Sequence, residues 1–475
     1  MAEIHELSAL EQYRQLQRGD LGVLEVVDHY LERIDRLDAS LGAFHTVTAD
    51  AARERARALD SSDDRTAVLW GLPSADKDLV RRAGVRTTFG SRLFEEFVPD
   101  ETDELAAQLD AAGTVSLGKT ATPEFGLPSY TENLVAPPAR DPYDTTRGAG
   151  GSSGGAAVAV AAGLLPFAPG SDGGGSIRIP AAACGLVGLK PSRGLVPAGS
   201  GLDALAGLPV AGPLARSAVD AALLLDGMIA RRGDRILHHH TLRAPTDGDG
   251  LFLGAAVRGE GRFQIGVTTS SPWETAYEIV LDPDATEALS IARDGLVALG
   301  HGMEEFALEP APDYAEAFRV IWQVGASQIP ADHTNQHLLE PLTQWLMHRG
   351  RAIPASELAR ALATLTAYER SLIRQLDRFD AVLTPTLAQT PRPLGWYDKD
   401  DGERNFAQQV QYTPFTSFVN VSGLPAITLP VHRTEEGLPM GAQLIGRPGG
   451  EATLLSLARQ LERRLRWDQV HPPQW

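Results

Sequence analysis

Apolar residues recur at intervals of three and four positions along several long segments of the chain, a spacing that predicts amphipathic helices. Leu24, Val27 and Leu31 show it in the first segment, each one helical turn from the next. Gly113 and Gly300 directly follow two of the segments, and glycine at that position commonly ends a helix. The segments that predict helices in this way are 7–60, 102–112, 284–299, 313–376 and 451–465.

Shorter apolar runs lie between the helical segments and predict buried β-strands. These runs cover 67–72, 114–117, 263–268, 381–384 and 427–431. Residues 155–165 are almost all small and apolar, which predicts a helix buried on every side. Strands that alternate with helices indicate the α/β class. Residues 238–262 are polar and rich in glycine and histidine, which predicts a loop.

No linker-like stretch or repeat divides the 475 residues, so we predict a single domain over 1–475. Its predicted parts are N-terminal helices over about 5–60, a core over about 67–230, a variable region over about 235–420, and closing strands with a helix over about 421–470.

Composition and charge exclude several classes of function. The net charge of −18 disfavours nucleic acid or an anionic membrane as the main partner, because both bind basic surfaces. Cys184 is the only cysteine, so neither an internal disulfide nor a thiolate metal cluster can form. The first residues lack the apolar core of a signal peptide, and the longest apolar stretch, 156–168, is too short to span a membrane. We expect a cytoplasmic protein that is a monomer or a homodimer.

Two glycine-rich segments, 147–155 with Ser152 and 170–180 with Ser176, lie on either side of the buried helix. Flexible linkers share this composition, but a linker would not lead straight into a long apolar run. Ser152 and Ser176 are separated by the length of a helix and a return loop, which can bring both hydroxyl groups to one place. Glycine lets the backbone turn tightly and present N–H groups beside a hydroxyl. The two segments therefore predict a nucleophilic serine site.

A serine hydroxyl needs a base to act as a nucleophile at neutral pH. No histidine lies in an obvious catalytic context, and lysine is the natural alternative. Lys77 follows the apolar run 67–72 and Pro73. Burial in an uncharged site would lower the pKa of its ammonium group far below the usual value of about 10.4. A lysine after a strand is also typical of a protein surface, so the pattern alone leaves the base open.

Other motifs match known sites only in part. Residues 113–120 fit the phosphate-binding P-loop pattern, but they follow a helix and have the composition of a strand. Residues 74–77 fit the Ser-x-x-Lys pattern of penicillin-binding enzymes without the Lys-Thr-Gly strand that accompanies it. Residues 150–154 fit the nucleophile elbow of α/β-hydrolases, which keeps a Ser–His–Asp esterase as an alternative.

The histidines give little support for a metal site. His333 and His337 are spaced to share one helix face, but the glutamate of a His-Glu-x-x-His site is absent. His238 to His240 are typical of a solvated loop. We therefore expect no bound metal.

Residues Gly150–Gly155 and Asp172–Pro180 are the most specific members of a larger set of segments. The others are Gly71–Asp78, Gly118–Gly126, Thr131–Asn133, Cys184–Ser192, Gly423–Pro430 and Gly437–Gly446. Together these segments resemble the amidase signature enzymes, and the resemblance extends over most of the chain. It implies a hydrolase of C–N bonds in amides. It also implies an α/β/α sandwich around a mixed, mostly parallel sheet covered by helices.

The resemblance assigns each residue of a Ser–cis-Ser–Lys triad. It implies that Ser176 is the nucleophile and that Ser152 is a bridging serine at a non-proline cis peptide bond. Lys77 would be the base and later the acid. No metal or organic cofactor is needed for such a triad.

The resemblance also implies an oxyanion hole in the second glycine-rich segment. Its donors would be the N–H groups of Gly173, Gly174, Gly175 and Ser176. Asp172 and Arg178 are expected to support this turn structurally.

The chain departs from the family pattern at two positions. Gly173 stands where the family commonly has threonine, so we expect a looser oxyanion turn. Asp76 stands where an apolar residue is usual, and a carboxylate beside Lys77 would keep the amine protonated. Because side chains alternate along a strand, we expect Asp76 to face the other way.

We predict an acyl-enzyme hydrolase of a small-molecule aryl or aliphatic amide, with carbamates as a further substrate class. One alternative is the glutamine-hydrolysing subunit of a tRNA-dependent amidotransferase, which shares the signature. Another is a binding protein without catalysis. For substrate contacts we predict Tyr130, Asn133, Trp322 and Phe415, although aromatic residues are as typical of a core as of an apolar pocket.

Overall fold

The computed structural model describes residues 3–196, 205–229, 252–473 and 475. Its strands are β1 (Phe44–Val47), β2 (Pro73–Lys77), β3 (Val115–Thr120), β4 (Arg140–Asp141), β5 (Asp144–Gly148), β6 (Phe167–Asp172), β7 (Val187–Lys190), β8 (Val210–Ala215), β9 (Gln264–Val267), β10 (Gly302–Glu305), β11 (Ala381–Pro385), β12 (Ala426–Arg433) and β13 (Pro439–Gly446).

The α-helices have these bounds: α1 (Ala9–Arg18), α2 (Val23–Leu41), α3 (Ala49–Asp60), α4 (Glu104–Ala111), α5 (Gly154–Ala161), α6 (Arg178–Ala183), α7 (Ala218–Met228), α8 (Phe252–Arg258), α9 (Pro283–Ala298), α10 (Tyr314–Ser327), α11 (Pro341–Ala352), α12 (Ala355–Leu376), α13 (Gly402–Tyr412), α14 (Ser417–Ser422) and α15 (Glu451–Leu465).

The large sheet has eight strands in the order β10-β9-β11-β13-β12-β7-β8-β6. Among its described pairs, only β9–β10 and β9–β11 are parallel, and the remaining neighbours are antiparallel. The predicted α/β class with a mixed sheet is confirmed, but the expectation of mostly parallel pairing is wrong. Parallel neighbours need long crossovers, whereas a short connection such as the one between β12 and β13 makes its strands antiparallel.

A smaller sheet carries the predicted base. Its three strands lie in the order β1-β3-β2, and β2 runs parallel to β3. Lys77 at the end of β2 lies opposite Thr120, and Asp76 lies opposite Lys119. Because β2 also packs against β6, the two sheets meet where β2 and β6 end.

The strand before the predicted base begins later than its apolar run suggests. Residues 67–72 form a buried turn instead of the predicted strand, and β2 starts at Pro73. Gly71, with φ +77°, supports that turn. Apolar composition predicts burial here, but it does not distinguish an extended chain from a turn. All five residues of β2 are buried although most of them are polar.

Most helical predictions are confirmed. α5 is buried at every position, and α4, α9, α15 and the three helices α10 to α12 fill the predicted segments. β1 interrupts the segment 7–60. Within the predicted loop 238–262, residues 252–258 form α8, and His238 to His240 lie outside the described residues.

The apolar core divides into two main parts around the large sheet. One part includes residues of α2, α5, α7 and α15, and the other includes residues of α10, α12 and α14. In the described ranges, we find no helix that combines the length and the hydropathy needed to cross a bilayer.

Candidate active site

Three polar side chains from β2, β6 and the approach to α5 meet at the junction of the two sheets. The Nζ atom of Lys77 lies 2.7 Å from Ser152 Oγ and 3.0 Å from Ser171 Oγ. The carbonyl oxygen of Ser171 lies 3.4 Å from the same amine. The Gly151–Ser152 peptide bond is cis. Lys77 is therefore held by hydroxyl and carbonyl groups, which carry no formal charge.

Burial lowers the pKa of the Lys77 ammonium group to about 7, against an opposing effect of Asp172. The side chain of Asp76 does not contact this amine. It accepts a hydrogen bond of 2.7 Å from Arg82 Nε instead. An amine with this pKa is neutral in a large fraction of molecules at physiological pH, so it can accept a proton.

A buried carboxylate shapes the turn that leads to Ser176. Asp172 accepts hydrogen bonds from the N–H groups of Gly175 and Ile177, at 2.8 and 3.1 Å. Arg178 donates to both of its oxygens, at 2.9 and 3.0 Å, and Asn420 donates at 2.8 Å. Burial alone would raise the pKa of this carboxyl, but Arg178, Lys190 and Asn420 hold it well below its usual range.

Some N–H groups of this turn donate hydrogen bonds within the protein, and others have no acceptor there. Gly175 has φ +132°, and its N–H points at Asp172. Within the described part of the chain, no oxygen accepts from the N–H groups of Gly173, Gly174 or Ser176. The Ser176 hydroxyl likewise makes no hydrogen bond to any described residue. An oxyanion bound here would find three free donors, and Gly175 would not be among them.

Two cavities meet at Ser176. The larger cavity has a volume of about 340 Å³, and Ser152, Ser171, Gly173 and Ser176 line its inner end. The smaller cavity has a volume of about 60 Å³ and includes Gly174 and Ser176 but not Ser152. Leu127, Ser176 and Trp322 line both spaces.

The walls of the two cavities are uncharged. The larger cavity is completed by Leu79, Phe125, Gly126, Leu205, Leu208, Pro209, Ile321, Gly325 and Gln328. The smaller cavity is completed by Pro128, Ser129, Ile179, Trp273, Phe318, Phe406, Gln409, Val410, Thr413 and Ser417. Among these described residues there is neither an acid, a base nor a histidine. Both cavities fit an uncharged, largely apolar ligand.

Of the four residues predicted to contact substrate, Trp322 lines both cavities and the other three lie behind the walls. Tyr130 is buried against Tyr397, with its hydroxyl bound to Asn405. Asn133 bonds to His45 and to the Thr122 carbonyl. Phe415 is fully buried. None of these three residues lines either cavity.

Ser171 is a site residue that sequence reasoning missed. Its hydroxyl contacts the Lys77 amine, and its backbone exchanges two hydrogen bonds with the Ser153 hydroxyl. The sequence held one indication, since Ser171 directly precedes Asp172 at the start of the second glycine cluster.

His333 and His337, whose spacing would allow them to share a helix face, do not lie on one helix. His333 lies in a turn outside any helix, and both His333 and His337 are exposed. The described residues bring three other ligand-type side chains together, Glu3, His5 and His29. This group borders neither of the cavities at Ser176.

Known proteins resemble this chain along nearly its whole length. A model of the Amidase family matches residues 25–455. The putative amidase AmiB2 of Mycobacterium tuberculosis is 36% identical over 467 residues, which cover 98% of this chain and 97% of that protein. A glutamyl-tRNA(Gln) amidotransferase subunit of Nitratidesulfovibrio vulgaris is 33% identical, with 98% of each protein covered.

The fold agrees with these sequence matches. The structure of 6-aminohexanoate cyclic dimer hydrolase superimposes on this chain with a TM-score of 0.89 and 28% identity, and the match covers 100% of both chains. A family model that spans residues 25–455 and a relative 36% identical along almost the entire length lead to one conclusion: the chain belongs to the amidase signature family.

Proposed function

We propose that this amide hydrolase cleaves uncharged amides through an acyl-enzyme, with Ser176 as nucleophile, Ser152 as bridge and Lys77 as base. One observation carries the proposal. The Lys77 amine lies 2.7 Å from Ser152 Oγ in a site where its pKa is about 7. A lysine that is hydrogen-bonded to a serine and has no carboxylate in contact can accept a proton.

Acylation begins when the neutral Lys77 amine accepts the proton of Ser152 while Ser152 accepts the proton of Ser176. The Ser176 oxygen then attacks the amide carbonyl carbon. Negative charge develops on the carbonyl oxygen, which the N–H groups of Gly173, Gly174 and Ser176 stabilise. A single donor of this kind typically accelerates acyl transfer by about 10²–10³-fold.

The C–N bond breaks when the leaving nitrogen is protonated, because an amide anion is a very poor leaving group. Ser152 donates that proton and regains one from the Lys77 ammonium group. The amine leaves as a neutral molecule, and Lys77 is again uncharged. Water then attacks the acyl group on Ser176 by the same relay, and the carboxylic acid is released.

The uncharged cavities favour a substrate without an amino-acid head group. Glutamine carries an ammonium and a carboxylate, and binding both normally needs side chains of opposite charge. The relative named as an amidotransferase subunit therefore does not determine the substrate of this chain. Aryl and aliphatic amides fit the apolar walls, and carbamates present the same carbonyl and nitrogen to the triad.

The absence of a histidine among the described wall residues also argues against the Ser–His–Asp alternative. That mechanism needs an imidazole within hydrogen-bond reach of the nucleophile. The amine of Lys77 occupies the corresponding place beside Ser152.

Peptide mapping of the acyl-enzyme tests the assignment. We would mix the enzyme with an activated phenyl ester, quench it in acid, and locate the acylated serine by mass spectrometry. The expected adduct lies on Ser176 and is absent in Ser176→Ala. An adduct on Ser152 or Ser153 would overturn the assignment.

A substrate panel tests the class of compound. Acetanilide, acetamide, ethyl N-phenylcarbamate and glutamine would be compared by kcat/KM. We expect turnover of the uncharged compounds and none of glutamine. A preference for glutamine would contradict the proposal.

A further inference from the structure

We propose that the larger cavity receives the amine portion of the substrate and the smaller cavity receives the acyl portion. The enzyme then selects amides that combine a short acyl group with a large apolar amine. This inference rests on the proposed function, because it uses the roles assigned to Ser152 and Ser176.

The direction of the substrate follows from the position of the proton donor. The leaving nitrogen must lie within hydrogen-bond distance of Ser152 Oγ to receive its proton. Ser152 lines the larger cavity and is absent from the smaller one. A substituent on the nitrogen therefore continues into the larger cavity. The acyl substituent, on the other side of the carbonyl carbon, continues into the space beside Gly174.

The two spaces differ greatly in size. The volume of the larger cavity is about 340 Å³ and that of the smaller cavity about 60 Å³. An aromatic amine fits the first space, whereas the second offers much less room.

Rings interlock around the smaller cavity and limit its expansion. The Trp273 ring lies 5.3 Å from Phe318 and 6.1 Å from Phe406, and Phe318 stacks on Trp322 at 5.5 Å. Close-packed aromatic side chains do not make room without disrupting their neighbours. We therefore expect kcat/KM to fall steeply as the acyl group is lengthened.

Two glycines widen the larger cavity, although the backbone conformation at neither position requires a glycine. A Cβ at Gly173 would meet its nearest atom, in Trp322, at 3.7 Å, and a Cβ at Gly325 would meet nothing within 4 Å. Neither residue has a positive φ, unlike Gly175, where a Cβ would lie 2.6 Å from that of Thr416. Within a helix such as α10, glycine is about 1 kcal/mol less favourable than alanine. These two positions therefore provide open volume in the larger cavity.

Two series of anilides test the assignment in the wild-type enzyme. The first series lengthens the acyl group from acetanilide through butyranilide to hexananilide and keeps aniline as the leaving group. The second keeps the acetyl group and enlarges the amine from aniline to 4-butylaniline, whose basicity is similar. Each series therefore varies the size of one portion while the reactivity of the amide stays nearly constant.

We expect hexananilide to be cleaved with kcat/KM at least about tenfold below that of acetanilide, since a misfit of even one methylene changes kcat/KM by about tenfold or more. Enlarging the amine should change kcat/KM by less than about twofold. The opposite ranking, or equal tolerance of both enlargements, would overturn the assignment while leaving the amide hydrolase intact. Failure to cleave any anilide, amide or carbamate would overturn the proposed function and this inference together.

Two variants act on opposite sides of Ser176. Gly325→Leu narrows the larger cavity, and it should lower the ratio of kcat/KM for the 4-butylanilide to that for acetanilide by about tenfold. Val410→Ala enlarges the smaller cavity, and it should raise the ratio for hexananilide to acetanilide. If Gly325→Leu changed only the acyl series, the assignment would be reversed.

Discussion

Two buried lysines lie on neighbouring strands of the small sheet and differ in whether a carboxylate contacts the amine. Lys77 on β2 contacts only hydroxyl and carbonyl groups. Lys119 on β3 lies 3.3 Å from the carboxylate of Asp78 and donates to Thr87 and to the Val80 carbonyl. Both are almost completely inaccessible to solvent. The two sites show that burial lowers the pKa of a lysine ammonium group in both places, whereas only Lys119 has a carboxylate in contact to oppose that lowering.

The charge of the partner explains the difference. Burial lowers the pKa of both ammonium groups, but Asp78 opposes that lowering at Lys119 by direct contact. Asp78 is itself held as an anion by His45, whose Nδ1 lies 2.9 Å away. Around Lys77, the nearest carboxylate that affects the amine is Asp172, and Arg178 neutralises it.

The largest effect should come from removing the Lys77 amine, to which we assign proton transfer. Lys77→Met should lower kcat by about 10⁴-fold or more, because residues of a catalytic triad act as a unit. The free energy of unfolding should stay near that of the wild type, since the variant removes no ion pair. Steady-state kinetics and urea unfolding measure the two quantities. An active Lys77→Met enzyme would refute the role of this lysine.

Replacing Lys119 should give the reverse pattern, with the main loss in stability and not in activity. Lys119→Met leaves Asp78 buried without its cation, which should lower the free energy of unfolding by about 3–5 kcal/mol. Chemical denaturation measures the loss. Lys119→Met combined with Asp78→Asn is the control, and the double variant should lose less than the sum of the two single variants. Strict additivity would show that the pair does not interact.

The smallest effect should appear in the pH dependence of the wild-type enzyme. In the proposed mechanism the neutral form of Lys77 is the active one, so kcat/KM should rise with pH through an apparent pKa of about 7. One unit below that value, kcat/KM should be about tenfold below its plateau. A rate that falls as pH rises through 7 would contradict neutral Lys77 as the base.

A matched pair of variants at Ser171 sharpens this measurement. Ser171→Asp gives Lys77 the kind of partner that Lys119 already has, and it should move the apparent pKa upward by about 1–3 units. Ser171→Asn has nearly the same shape without the charge and should not produce that upward shift. Equal profiles for the two variants would show that partner charge does not control the base.

The sequence predicts the chemical groups of the site better than the geometry that joins them. Ser152, Ser176 and Lys77 stand in distinctive segments, because glycine-rich turns leave a clear pattern. Their roles in the reaction stay predictions, although the structure brings Lys77 and Ser152 into contact. Ser171 lies in the same glycine-rich segment as Ser176, but its position gives no sign of a contact with Lys77, and only the folded chain brings it to the amine.

The sequence predicted the fold well where the spacing of apolar residues stays regular over many positions. It was ambiguous where an apolar run is short. α15 and the helices of 313–376 follow clear spacing, but the apolar run 67–72 is a turn. Tyr130 and Phe415 show the same limit in the site, because an aromatic side chain fits a core as well as a pocket wall. The direction in which each ring points depends on packing that residue type does not encode.

Trp322 lines both cavities, and this has a consequence for redesign. Any natural substitution at that position is smaller and enlarges both compartments at once, so selectivity for one half of a substrate changes together with selectivity for the other. The two halves can be tuned independently at Val410 or Gly325, each of which lines only one of the two cavities, with Trp322 left unchanged.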